Sequence, residues 1–158
     1  LQGDWSSDVC SSDLQLGEML AYEATRDLAL RTVKIHTPLE KMDSQRFGAP
    51  LTIVPILRAG LGMAAGMVQL LPEARVGHLG LFRDEKSLQP VHYYEKLPPT
   101  VHEGPVLLVD PMLATGGSVV AAVKLLKMRK CKDIRLICLL AAPEGVAAVT
   151  REHPELPI

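Results

Sequence analysis

The apolar residues of this chain follow two different periods, one helical and one typical of strands. The first helical pattern predicts an amphipathic helix over residues 14–31, because its apolar positions recur at three- and four-residue steps. These positions are Leu16, Met19, Leu20, Ala24 and Leu28. Residues 1–13 repeat Ser-Ser-Asp and show neither period, so we interpret them as a tail that is disordered or foreign to the gene.

Beyond this helix the pattern alternates strands with helices. A short alternating piece at 32–37 is followed by a polar loop through Gly48. Apolar, β-rich runs then predict strands at 51–57, 75–82, 106–109 and 134–141, with an extended polar-aromatic segment at 91–97. Helical spacing predicts a turn at 59–62 leading to a helix that reaches Leu71, and further helices at 118–128 and 144–153. This alternation predicts an α/β fold with an open, mainly parallel twisted sheet flanked by helices on both faces.

Composition favours a small molecule or another subunit as the partner. The 158 residues are 47% hydrophobic, which suffices for one core domain, assigned to residues 14–158. A formal net charge of -1 and a pI near 6.6 provide neither a basic stripe for nucleic acid nor a polybasic run for a membrane. The longest uncharged stretch, 59–71, is too short to cross a bilayer, and the N-terminus lacks a basic region followed by an apolar one.

Cysteine, histidine and methionine show no pattern that indicates chemistry. Cys10, Cys131 and Cys138 lack metal-ligand spacing, so we expect neither disulfides nor a zinc site, and a reducing cytoplasm fits best. The five histidines show no spacing typical of a metal site or a triad, and we interpret them as structural or surface residues. Three methionines are interpreted as core residues: Met63, Met67 and Met112.

The strongest chemical signal lies at residues 106–118. The strand at 106–109 delivers Asp110 at its carboxyl end, which is where open α/β sheets bind ligands. The turn that follows consists of Pro111, Met112, Leu113, Ala114, Thr115, Gly116, Gly117 and Ser118. Its glycines allow successive N–H groups and the positive end of the next helix to face one anion, while its hydroxyl residues add donors. We call residues 110–118 the phosphate cradle, with Asp110 suited to bind a sugar diol.

Other interpretations of this segment are a nucleoside-triphosphate site, an NAD site and a plain helix start. The first two are disfavoured, because the spacing is neither the Walker pattern nor the dinucleotide-binding glycine pattern. A bare Gly-Gly-Ser is more often a helix start with an N-cap serine than a ligand site. The buried strand and Asp110 directly before the turn reverse that balance.

The run 109–118 resembles the phosphoribosyl-pyrophosphate loop of type I phosphoribosyltransferases. In that superfamily two acids usually end the strand, whereas the Asp-Pro pair here is similar to the uracil branch. Three further segments resemble the same branch: 22–28, 54–63 and 141–145. The resemblance covers the chain from about Gly17 onward. It implies the Rossmann-like fold of the type I enzymes, with a small hairpin and a mobile loop at 84–97.

The resemblance also implies an activity and a role for each matching residue. The activity is the conversion of uracil and phosphoribosyl pyrophosphate to UMP and diphosphate in pyrimidine salvage. Arg58 and Arg83 match residues that contact the diphosphate, and Arg58 and Asp110 are the expected catalytic residues. Residues 110–118 would bind the donor's phosphoribosyl part. Mg²⁺ is the implied cofactor, held through the diphosphate without direct protein ligands.

The ends of the chain depart from the family pattern. Family members continue past Ile158 to a Gly-rich loop that reads uracil, and they have an N-terminal arm before the first helix. We therefore expect the core domain to be incomplete at its C-terminus and this chain alone to be inactive or poorly active. The resemblance further implies a homo-oligomer of two or more subunits and GTP as an allosteric activator, in the cytoplasm.

Three alternatives remain open at this stage. An RNA-binding regulator that shares the fold would need a basic face, which the charge does not favour. A transferase for a purine or for orotate would normally keep the paired acids. A non-catalytic, assembly-only fragment would fit the shortened ends but would leave the phosphate machinery unexplained.

Overall fold

The computed structural model describes residues 5–83 and 90–158, and side chains over 12–82 and 91–158. Its helices are α1 (Trp5–Thr25), α2 (Leu61–Leu70), α3 (Gly117–Met128) and α4 (Pro143–Glu152), with a 3-10 turn at Val101–Glu103. Its strands are β1 (Leu30–His36), β2 (Lys41–Phe47), β3 (Thr52–Leu57), β4 (Arg75–Val76), β5 (His78–Arg83), β6 (Pro90–Lys96), β7 (Val106–Val109), β8 (Met112–Leu113), β9 (Ile134–Ile137) and β10 (Leu140–Ala141).

The main sheet has the strand order β6-β5-β3-β7-β9, with β4 also pairing with β3. All of its pairings are parallel except that of β5 with β6. Parallel strands need a crossover connection, and helices α2 and α3 provide two of these crossovers. The expected α/β fold with a mainly parallel sheet is confirmed.

The central strands bury both of their faces, which explains their continuous apolar sequences. In β7, Val106 and Leu108 pack in one hydrophobic cluster with α3, whereas Leu107 and Val109 pack in a second cluster with α1 and α2. The helical residues of the first cluster include Val119, Ala122, Val123 and Leu126, and those of the second include Ala21, Met63, Ala64 and Met67. Helices therefore cover both faces of the sheet, as predicted.

The N-terminal region differs from the sequence-based prediction in three ways. The helix begins at Trp5 instead of at Leu14. It also ends at Thr25 instead of residue 31, and β1 begins at Leu30. The polar stretch expected to be a loop contains β2, which forms an antiparallel hairpin with β1. The alternating piece at 32–37 overlaps β1, whereas β2 is mostly exposed, so its sequence lacks the apolar alternation that would have revealed a strand.

Smaller differences occur near the sheet edges. The strand expected at 134–141 is split, because β9 stays in the main sheet while β10 pairs with β8. The extended polar-aromatic segment predicted at 91–97 forms β6, which pairs antiparallel with β5, and residues 84–89 of the expected mobile loop lie outside the described part of the chain. In that described part, no helix is long and apolar enough to span a membrane. The assignment of 14–158 to one domain and of the first residues to a foreign tail stays a prediction.

Candidate functional site

The candidate site lies at the carboxyl ends of three neighbouring parallel strands. Strands β5, β3 and β7 lie side by side, with Leu57 opposite Gly80 and Pro55 opposite Val109. Arg83 is the last residue of β5, Arg58 follows β3, and Asp110 follows β7. The topology therefore brings all three predicted residues to one sheet edge. The side chain of Arg83 is outside the part that the structure describes.

The phosphate cradle forms a small concave site at this edge. A cavity of about 80 Å³ is lined by Asp110 and by residues 112–119. Gly116 is the N-cap of α3 and adopts a left-handed conformation with φ of 80°, which glycine reaches without steric cost. The first turn of α3 contains no acidic residue. Its N-terminal N–H groups lack partners within the helix, so they and the helix dipole favour an anion here.

The residues of the cradle differ in what they offer to a ligand. Thr115 is exposed and Ser118 is half-buried, and both line the cavity. Leu113 is only 1% exposed and packs in the core, so only its backbone can face a ligand. Met112 is 59% exposed, and its interpretation as a core residue is wrong. Met63 and Met67 are fully buried, as expected.

Asp110 combines a partly buried position with a perturbed pKa. Its N–H group donates to the carbonyl of Ile137 at 3.1 Å, which fixes the backbone where β7 ends. Burial raises the pKa of its carboxyl to about 6, although a hydrogen bond from the backbone of Met112 opposes the rise. Burial also raises the pKa of the Cys138 thiol, and the negative charge of Asp110 adds to that effect. Shifted carboxyls of this kind concentrate at functional sites.

Arg58 is exposed and its side chain is available to an anion. It makes no ion pair with any residue in 12–82 or 91–158, the ranges whose side chains the structure describes. The Leu57–Arg58 peptide bond is cis. Gly60, two residues later, is buried against the end of β7. A guanidinium in this position can bind diphosphate oxygens in a bidentate manner.

The segment before α4 lies beside the cradle, although none of its residues was predicted to belong to the site. The N–H group of Ala142 donates to the carbonyl of Leu113 at 2.8 Å, and Gly145 contacts the same loop. Pro143 at the first position of α4 marked a helix start. The contact with the cradle is tertiary, so no local signal could have revealed it.

A protein-family model described as uracil phosphoribosyltransferase matches residues 6–158. This chain belongs to the uracil phosphoribosyltransferase family. The resemblance stated from the sequence is thereby confirmed, and the relatives that carry this name are transferases.

Similar proteins agree with this assignment. The uracil phosphoribosyltransferase of Macrococcus caseolyticus is 50% identical over 145 residues, which make up 91% of this chain and 69% of that protein. A solved structure of the AQ2163 protein from Aquifex aeolicus has a TM-score of 0.90 at 32% identity, covering 100% of this chain and 76% of the other. A purine phosphoribosyltransferase from Pyrococcus horikoshii has a TM-score of 0.60 at 15% identity, over 85% of this chain and 74% of its own, which shows the fold alone.

Proposed function

We propose that this chain carries the donor site of a uracil phosphoribosyltransferase, which converts uracil and phosphoribosyl pyrophosphate to UMP and diphosphate. The observation that carries the proposal is the meeting of Arg58 and the phosphate cradle on the adjacent strands β3 and β7. One end of the site offers an arginine for a diphosphate, and the other offers a glycine-lined helix start for a monophosphate. Relatives named for this activity support the assignment.

The proposed reaction breaks one bond at the ribose C1 atom and forms another. The bond between the ribose C1 and the diphosphate oxygen breaks, and the diphosphate leaves with the electron pair. Arg58 and Arg83 would stabilise that departing charge, while the cradle holds the 5'-phosphate and Asp110 accepts hydrogen bonds from the ribose hydroxyls. The N1 atom of uracil then bonds to C1, and its proton passes to water. The chain needs no covalent nucleophile for this chemistry.

The residues of the site fit a Mg²⁺ ion that arrives with the diphosphate. Among the side chains that the structure describes, at 12–82 and 91–158, no cluster of three or more His, Cys, Asp or Glu residues could hold a metal by itself. Mg²⁺ commonly keeps several waters and binds through one or two carboxylates plus substrate phosphates. Asp110, the carboxylate of the cradle itself, could join such a shell through bound water. The ion would neutralise charge on the leaving group.

Three finer features of the family are part of the proposal. We infer a cytoplasmic location, which the free thiols of Cys131 and Cys138 support. A homo-oligomer and activation by GTP rest on the family resemblance. Sedimentation of the protein at several concentrations tests the oligomeric state. Initial rates with and without GTP test the activation.

Calorimetric titration of this chain with phosphoribosyl pyrophosphate tests the donor site. We expect saturable binding that requires Mg²⁺ and that Arg58→Ala and Asp110→Asn both weaken. Arg151→Ala is the matched control, because Arg151 is an exposed arginine at the end of α4, away from the site. No binding by a folded chain would contradict the donor-site assignment. Transfer to uracil is then measured with a version extended to the length of the relatives.

A further inference from the structure

The segment that leads into α4 is tied to the phosphate cradle by backbone hydrogen bonds. Strands β10 and β8 pair in parallel, with Leu140 opposite Met112 and Ala141 opposite Leu113. The carbonyl of Pro111 accepts hydrogen bonds from the N–H groups of Leu139 and Leu140, each at 3.1 Å. The cradle thus shares its backbone hydrogen bonding with a segment that contributes no residue to the predicted site.

Gly145 in the first turn of α4 makes the closest approach to the cradle. A Cβ atom at this residue would lie 2.5 Å from the carbonyl oxygen of Ala114 and 2.8 Å from that of Leu113. Both neighbours are backbone atoms, so they cannot move aside as a flexible side chain could. Glycine is less favourable than alanine inside a helix. Its presence here is explained by the lack of room for any side chain.

The contact is reciprocal, because a glycine of the cradle meets α4 in the same way. A Cβ atom on Gly116 would lie 2.9 Å from the carbonyl oxygen of Gly145 and 3.2 Å from the Cβ atom of Ala148. Gly116 also has a positive φ and begins α3. The turn that presents the N–H groups of α3 is therefore pressed directly against α4.

We infer that Gly145 is a positioning residue for the phosphate cradle. Its bare α-carbon lets α4 press against the carbonyls of Leu113 and Ala114, and this contact sets where the backbone N–H groups of residues 115–118 stand. Gly145 acts through the cradle and touches no substrate itself. The inference rests on the proposed function, because the cradle is taken to hold a phosphate.

Two ligands test the two halves of the site independently. Ribose 5-phosphate carries the group expected in the cradle, and inorganic diphosphate carries the group expected at Arg58. In the full 158-residue chain, Gly145→Ala should weaken the binding of ribose 5-phosphate by about tenfold or more, while the binding of diphosphate changes little. Amide hydrogen exchange in the ligand-free protein should rise in residues 112–118.

Gly104→Ala is the matched control for a general loss of stability. A Cβ atom on Gly104 would collide with the backbone carbonyl of Pro50, at the amino edge of the sheet, far from the cradle. This variant should lower the melting temperature without a selective loss of ribose 5-phosphate binding. It also should leave exchange in the cradle at the wild-type level.

A second variant tests the same contact without adding a side chain to α4. Ala142 has a φ of -77°, which proline adopts, and its N–H group donates to Leu113. Ala142→Pro removes this hydrogen bond and should selectively weaken ribose 5-phosphate binding, as Gly145→Ala does. Its melting temperature should change less than that of Gly145→Ala. The inference is overturned if Gly145→Ala and Ala142→Pro leave cradle exchange unchanged, or weaken both ligands equally. A wild-type chain that binds neither ligand would instead contradict the proposed function, while the exchange data still decide whether Gly145 positions the loop.

Discussion

Gly60 faces Val109 so closely that a Cβ atom on Gly60 would lie 2.5 Å from the carbonyl oxygen of Val109. Gly60 belongs to the loop that follows Arg58, and Val109 is the residue before Asp110. The two halves of the donor site therefore meet through a backbone contact. Their spacing depends on the absence of a side chain at residue 60.

Gly60→Ala should impair both halves of the site at once. The added methyl group also approaches Pro55 and the N–H group of Ile56, so either the loop or the end of β7 must shift. We expect a loss of about 1–3 kcal/mol in the free energy of unfolding, as for other overpacked sites. Binding of both diphosphate and ribose 5-phosphate should weaken, which separates this variant from Gly145→Ala. Unchanged calorimetric titrations of the two ligands would refute the link.

Donor binding should depend on pH through the ionisation of Asp110. Its carboxyl has a pKa of about 6 because burial disfavours the charge, and the ionised form is the better acceptor for ribose hydroxyls. The affinity for ribose 5-phosphate should therefore rise as the pH increases through about 6. The phosphate of the ligand titrates in the same pH range. The pH profile of the wild-type chain is therefore compared with that of Asp110→Asn, which is titrated with the same ligand but lacks the carboxyl. Parallel pH profiles for the two proteins would exclude this role.

Asp110 should also make stability depend on pH, in the direction opposite to most acids. Its pKa of about 6 in the folded state lies above the ordinary 3.8, so the folded chain binds the proton more tightly than the unfolded chain. Stability should fall as the pH rises from about 4 to about 6 and stay level above that range. The cost at neutral pH is at most about 3 kcal/mol. Urea unfolding should show Asp110→Asn to be the more stable protein at pH 7 and this advantage to vanish below pH 4.

His153 should contribute to stability because it is buried and both of its ring nitrogens are hydrogen-bonded. It is 3% exposed, its Nδ1 atom lies 2.9 Å from Nζ of Lys127, and its Nε2 atom lies 3.3 Å from the carbonyl oxygen of Val120. With Lys127 donating to Nδ1, the ring proton stands on Nε2 and is donated to Val120.

His153→Ala removes both hydrogen bonds and leaves a cavity between α3 and α4. We expect a loss of about 2 kcal/mol or more in the free energy of unfolding, measured by urea denaturation. His102→Ala is the control, because His102 is exposed. Equal midpoints for the two variants would show that the buried contacts contribute nothing.

Sequence patterns predicted the central strands better than the margins of the fold. The four residues of β7 are all buried, so their continuous apolar run located both the strand and Asp110. Gly116 marked the turn because its φ of 80° and the close approach of the Gly145 carbonyl leave room only for glycine. Strand β2 was missed, since exposure on both of its faces removes the period-2 signal. The role of Gly145 was missed because it depends on a contact with residues far away in the chain.

The pairing of β3 with β7 has a consequence for how the site comes into being. Arg58 and Asp110 are separated in the chain by α2, β4, β5 and β6, and they become neighbours only when β3 and β7 exchange hydrogen bonds. A donor molecule that spans both residues therefore recognises the assembled sheet and no partly folded form. By mass action its concentration becomes a variable of folding, so the melting temperature should report the occupancy of the site.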